Sequence, residues 1–61
     1  MKKLVVCEYE LKNGSMIFVF ETDCRHQYLV QDDIYEGVHT VGFHSLERAK
    51  EYAEFLFNKN N

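Results

Sequence analysis

Residues 4–11 and 16–22 are two largely apolar runs of strand length, separated by Lys12, Asn13, Gly14 and Ser15, and Glu8, Tyr9, Glu10 and Leu11 alternate with a period of two. A period of two is the strand repeat. Asn-Gly between two such runs is the strongest short-range hairpin signal, because a type I′ turn needs positive φ at both central residues. The pattern therefore predicts strands over 3–11 and 15–22, closed by a two-residue turn at Asn13-Gly14 with Lys12 and Ser15 flanking it. That turn implies a register in which Leu11 faces Met16, Tyr9 faces Phe18, Cys7 faces Phe20 and Val5 faces Thr22. Opposed residues share a side of an antiparallel ladder, so these eight form one largely apolar face that calls for burial. The reverse face then sets Leu4 opposite Asp23, Val6 opposite Glu21, Glu8 opposite Val19 and Glu10 opposite Ile17.

After a connection at 22–25, residues 26–31 read as a third strand, with Tyr28 and Val30 on one side and Gln27, Leu29 and Gln31 on the other. Residues 32–37 form a polar loop that holds Ile34 and Tyr35. Residues 38–43 read as a short fourth strand or as an extended approach to a helix. Ser45 is an N-cap candidate. Glu47 in the first turn suits the helix dipole, and Arg48 stands where a capping box needs Glu or Gln. Leu46, Ala49, Ala53, Leu56 and Phe57 recur at helical spacing and predict a helix over about 46–58 with an apolar stripe. Small Ala49 and Ala53 let that helix approach the sheet, and residues 58–61 are expected to fray. Phe55 falls off the stripe, beside Glu51 and Arg48. It either packs at the helix edge or stands exposed as an interface anchor. The fold class is α+β, one small domain: a three- or four-stranded antiparallel meander sheet packed on one C-terminal helix.

Composition narrows the function classes. With 46% hydrophobic residues the chain is too apolar to be disordered. At 61 residues it buries a modest share of its surface and is marginally stable alone, so a second copy is one expected source of support. A formal net charge of −3 opposes nonspecific nucleic-acid binding and suits a basic partner. The start Met1-Lys2-Lys3 leads into a stretch broken by Glu8 and Glu10, unlike a signal peptide. No run nears the roughly 20 apolar residues of a membrane span. The expected location is cytoplasmic. In the predicted register Cys24 lies about 13 Å along the strand from the level of Cys7, beyond the ~7 Å reach of a disulfide. Two free thiols are expected.

Chemistry-bearing residues are sparse. Cys24, His26, His39 and His44 invite a metal reading, but His39 and His44 fall on extended chain, where five positions span roughly 16 Å, so no metal site is assigned. Cys24 with His26 is the one nucleophile–base pair, without an orienting third group. No catalytic residue and no cofactor are expected.

The junction Gly42-Phe43-His44-Ser45-Leu46-Glu47-Arg48-Ala49-Lys50-Glu51-Tyr52-Ala53 is similar to the segment entering the helix in the AP2 domain and in the arm-binding domain of tyrosine integrases. That resemblance implies a three-stranded sheet braced by one helix, with Arg, Lys or Trp on the exposed sheet face to meet DNA. The predicted exposed face offers Glu8, Glu10, Glu21 and Asp23 instead. The leading expectation is a noncatalytic protein-binding module using Glu8, Glu10, Ile17, Val19, Glu21 and Asp23, with Tyr35 and Phe55 as further contacts. Its size and acidity resemble the small proteins with which phages inhibit host or defence factors. A homodimer through the same face is expected as well. The alternative is a small nucleic-acid-binding domain using Lys12, Arg25, His26 and Lys50, with Tyr28 or Tyr35 for stacking.

Overall fold

The computed structural model describes every residue except Met1, Cys24 and His26. Four strands, β1 (Lys3–Glu10), β2 (Met16–Thr22), β3 (Tyr28–Asp32) and β4 (His39–Phe43), precede one helix, α1 (Leu46–Asn60). They pair antiparallel in the order β1-β2-β3-β4, an α+β meander with the helix against one face. Residues 38–43 thus hold a true strand. The third strand begins at Tyr28; Cys24 and His26, and with them the thiol pairing and the strand start expected there, lie outside the described residues.

The hairpin turn is not the one that Asn-Gly suggested. Leu11 N–H donates to Ser15 O at 2.9 Å, and Gly14 N–H donates to Leu11 O at 3.0 Å. Lys12, Asn13 and Gly14 therefore form a three-residue loop, with Gly14 at φ +92° and Asn13 on the ordinary side of φ. This is the type I turn followed by a left-handed residue. Asn13 helps select it: its Oδ1 accepts from Ser15 N–H at 2.9 Å, a local bond that Asn makes readily in turns.

One extra loop residue shifts the register by one. Tyr9 pairs with Ile17 and Cys7 with Val19, where the two-residue turn put Phe18 and Phe20. A one-residue shift turns every side chain of a strand to the other face. Ile17 and Val19 are fully buried in consequence, and Phe18 and Phe20 face away from the helix. A second irregularity between Val5 and Cys7 leaves Val6 as the extra residue of a β-bulge, so that Val5 pairs with Phe20, Leu4 with Glu21 and Lys3 with Thr22.

The core lies between sheet and helix. Ile17, Val19 and Val30 meet Ala49, Ala53 and Leu56, with Leu11 closing the hairpin end. Two aromatic contacts pin the helix across the sheet, Phe43 to Tyr52 at 5.4 Å and Tyr9 to Phe57 at 5.7 Å. The first sits at β4 and the second at β1, so α1 crosses all four strands. Ser45 caps it as expected, its Oγ accepting from Arg48 N–H at 3.4 Å. The C-terminus does not fray at residue 58. Asn60 Nδ2 donates to the Leu56 carbonyl at 2.9 Å, and Asn61 Oδ1 accepts from Lys12 N–H at 2.9 Å, tying the helix end to the hairpin turn. Ile34 packs on the core from the β3–β4 loop, whose start is held by Asp32 Oδ1 accepting from Ile34 N–H.

Candidate contact surface

The principal axes measure 31 × 21 × 16 Å, and the shortest is the thickness of one sheet and one helix. The sheet therefore has a face that the helix does not touch. Register assigns its residues in rows across the strands. One row runs Val5, Phe20, Leu29, Gly42, and the next runs Glu8, Phe18, Gln31, Thr40. Glu10 and Met16 form a third row at the turn end, and Lys3 and Thr22 a fourth at the other end.

The middle of this face is apolar. Phe18 and Phe20, two residues apart on β2, lie side by side with ring centroids 5.9 Å apart at 29°. Val5 flanks them at 54% exposure, and Leu29 borders Phe20 on the far side. Both rings are half-buried, and neither packs on the core beneath the helix. Contiguous apolar side chains of this kind mark contact sites more often than scattered ones do. Charge sits along β1: the Lys3 ammonium lies 4.6 Å from the Phe20 ring centroid, and Glu8 and Glu10 occupy the opposite end.

The structure redistributes the expected contact residues. Glu8 and Glu10 stay on the open face. Ile17 and Val19, expected there with them, are 0% exposed beneath the helix and offer nothing to a partner. Glu21 pairs with Leu4 and Tyr28 on the helix side of the sheet. Asp23 lies past the end of β2, where its Oδ1 accepts from Lys2 N–H at 3.2 Å. The four acids do not form one cluster. Lys2, Leu4, Glu21, Thr22 and Asp23 instead line an open depression of about 200 Å³ with charges of both signs.

Tyr35 and Phe55 stand elsewhere. Tyr35 is half-exposed and meets the His39 ring edge-on at 6.2 Å, on the helix side of β4. Phe55 is 58% exposed on the solvent side of α1, with Lys59 Nζ 5.8 Å from its ring. The residues that sequence reasoning missed are Met16, Phe18, Phe20 and Leu29. The available signal was the Gly at the third loop position, which a three-residue hairpin also requires.

Tyr9 is the one titratable group described with a displaced value. Burial foremost, then the neighbouring Cys7 sulfur and the Glu54 carboxylate, push its phenol up from 10 to about 12. Cys7 Sγ lies 3.9 Å from its hydroxyl. Among the described residues no group of three His, Cys, Asp or Glu is arranged to hold a metal ion, and no helix is long and apolar enough to cross a membrane.

No protein-family model matches the chain, and no curated protein or solved structure matches it. The likeness of residues 42–53 to the AP2 and integrase arm-binding domains therefore stands on that segment alone, and the sheet has four strands where that likeness implied three.

Proposed function

We propose that the chain is a noncatalytic protein-binding module, working in the cytoplasm through the open face of its sheet. The observation that carries this reading is the apolar middle of the face turned away from the helix: exposed Val5 and half-buried Phe18, Phe20 and Leu29 in two adjacent rows. Aromatic side chains supply large contact area at small entropic cost, and interface hot spots are enriched in such central, ringed positions. Glu8 and Glu10 at the margin favour a partner that brings a cation to them. An inhibitor that engages a basic, nucleic-acid-binding protein draws its support from these two carboxylates and from the small size of the chain.

A nucleic-acid reading has one observation in its favour, the two adjacent Phe rings on an antiparallel sheet, which resemble a stacking platform. Charge opposes it. Lys3 is the sole cation in the four rows, against Glu8 and Glu10, and phosphate binding needs clustered Lys and Arg. Tyr28, a stacking candidate in the sequence, is turned toward the helix and packs on the core.

The test compares wild-type, Phe18→Glu and Phe55→Glu chains as immobilised bait. A protein held by wild type and by Phe55→Glu, and released by Phe18→Glu, supports the reading. Retention by Phe18→Glu overturns it.

A further inference from the structure

Resting on that reading, we propose that the occupant of the open face is a second copy of this chain, packed sheet on sheet about a two-fold axis running across the strands. The argument comes from the order of charges along β1. Lys3 lies at one end of the strand, and Glu8 and Glu10 lie at the other, all on the open face. A two-fold axis perpendicular to the strands reverses their direction and leaves each strand over its own copy. Lys3 of each copy then meets Glu10 of the other, and Glu8 falls over Val5, one row in from that lysine.

The same axis, passing between the two middle rows, sets Phe20 of one copy over Phe18 of the other. Gly42 falls over Thr40, where the missing side chain leaves room, and Leu29 falls over the aliphatic stem of Gln31. An axis parallel to the strands does worse. It lays β1 over β4, whose open-face residues Thr40 and Gly42 carry no charge, and leaves Glu8 and Glu10 without a partner. Edge-to-edge pairing through β1 meets the bulge between Val5 and Cys7, which interrupts the ladder a new strand would need.

Stacked sheets lie about 10 Å apart, a gap that facing Phe side chains fill. The footprint is small: four strands at about 4.8 Å spacing and roughly 20 Å in length give roughly 400 Å² of plan area per copy. That is about half the area per partner of a standard stable interface and belongs to the weak, transient class, so the dimer is expected at micromolar and not at nanomolar concentration. It gives a short chain a second core, the kind of support that domains of this size need.

Sedimentation equilibrium on the 61-residue chain tests this. Wild type is expected to show a monomer–dimer equilibrium across the micromolar range. Lys3→Glu should raise the dissociation constant at least about tenfold, because it sets three acids against one another at each end. The triple swap Lys3→Glu, Glu8→Lys, Glu10→Lys should bring the dimer back. Phe18→Glu should be monomeric. Lys3 is exposed and remote from the core, so Lys3→Glu keeps the test valid if circular dichroism finds Phe18→Glu unfolded. A monomer at high micromolar concentration overturns the proposal. So does a dimer indifferent to Lys3→Glu, or a triple swap that stays weak. A monomer whose bait still captures another protein through Phe18 defeats the second copy and leaves the binding module standing. A monomer that binds an oligonucleotide at low salt, with the affinity lost in Phe18→Glu, defeats both.

Discussion

Gly14 and Asn13 decide which side of β2 is seen by solvent. Gly14 takes φ +92°, a conformation that a side chain would strain, and Asn13 bonds the Ser15 amide without leaving the ordinary side of φ. Two residues thereby choose a three-residue loop over a two-residue one. At the same scale Tyr9 links the core to pH. Its phenol titrates at about 12 in the fold against an ordinary 10. The raised value favours the protonated form in the folded chain, so its contribution is complete below pH 10 and is lost as pH rises through about 12. Tyr9→Phe keeps the ring against Phe57 and removes the titrating group. Urea titrations over that alkaline window should show stability falling more steeply in wild type than in Tyr9→Phe. Equal slopes would contradict the assignment.

The elements were largely legible in the chain, and their mutual register was not. The helix could be read from Ser45, Leu46, Ala49, Ala53 and Leu56, because a cap and a stripe are local signals. The division of β3 into two sides was legible, Tyr28 and Val30 sharing one, but which side meets the core was not; the structure buries Val30 and packs Tyr28 beside it. Register depends on loop length, and Asn-Gly is compatible with a two-residue turn as well as with Lys12-Asn13-Gly14. Both faces of β2 are apolar, Met16, Phe18 and Phe20 on one and Ile17 and Val19 on the other, so hydrophobicity could not choose between them. The helix end was misread because its restraints are long-range: Asn61 bonds Lys12, 49 positions away. The register predicts an order of costs. Ile17→Ala should destabilise by about 2–5 kcal/mol, as core truncations do. Phe18→Ala, measured in dilute monomer by thermal and urea unfolding, should cost less than Ile17→Ala despite losing more atoms. The opposite order would restore the two-residue turn.

As a whole the molecule is two layers with one buried interface and one open one. The helix covers the side of Ile17, Val19 and Val30, and the other side carries Val5, Phe18, Phe20 and Leu29. The face that Glu8 and Glu10 occupy was legible in the sequence, while Ile17 and Val19, the aliphatic pair expected beside them, lie in the core. What replaces that pair is larger and aromatic, and this strengthens the case for contact over solvation. The most direct test of a second copy on the open face follows backbone amide signals by two-dimensional NMR as the protein is concentrated. Shifts confined to Lys3, Val5, Glu10, Phe18, Phe20 and Leu29, with the solvent side of α1 around Phe55 unmoved, are the predicted result. Shifts centred on α1, or none in the sheet up to high micromolar concentration, would contradict it.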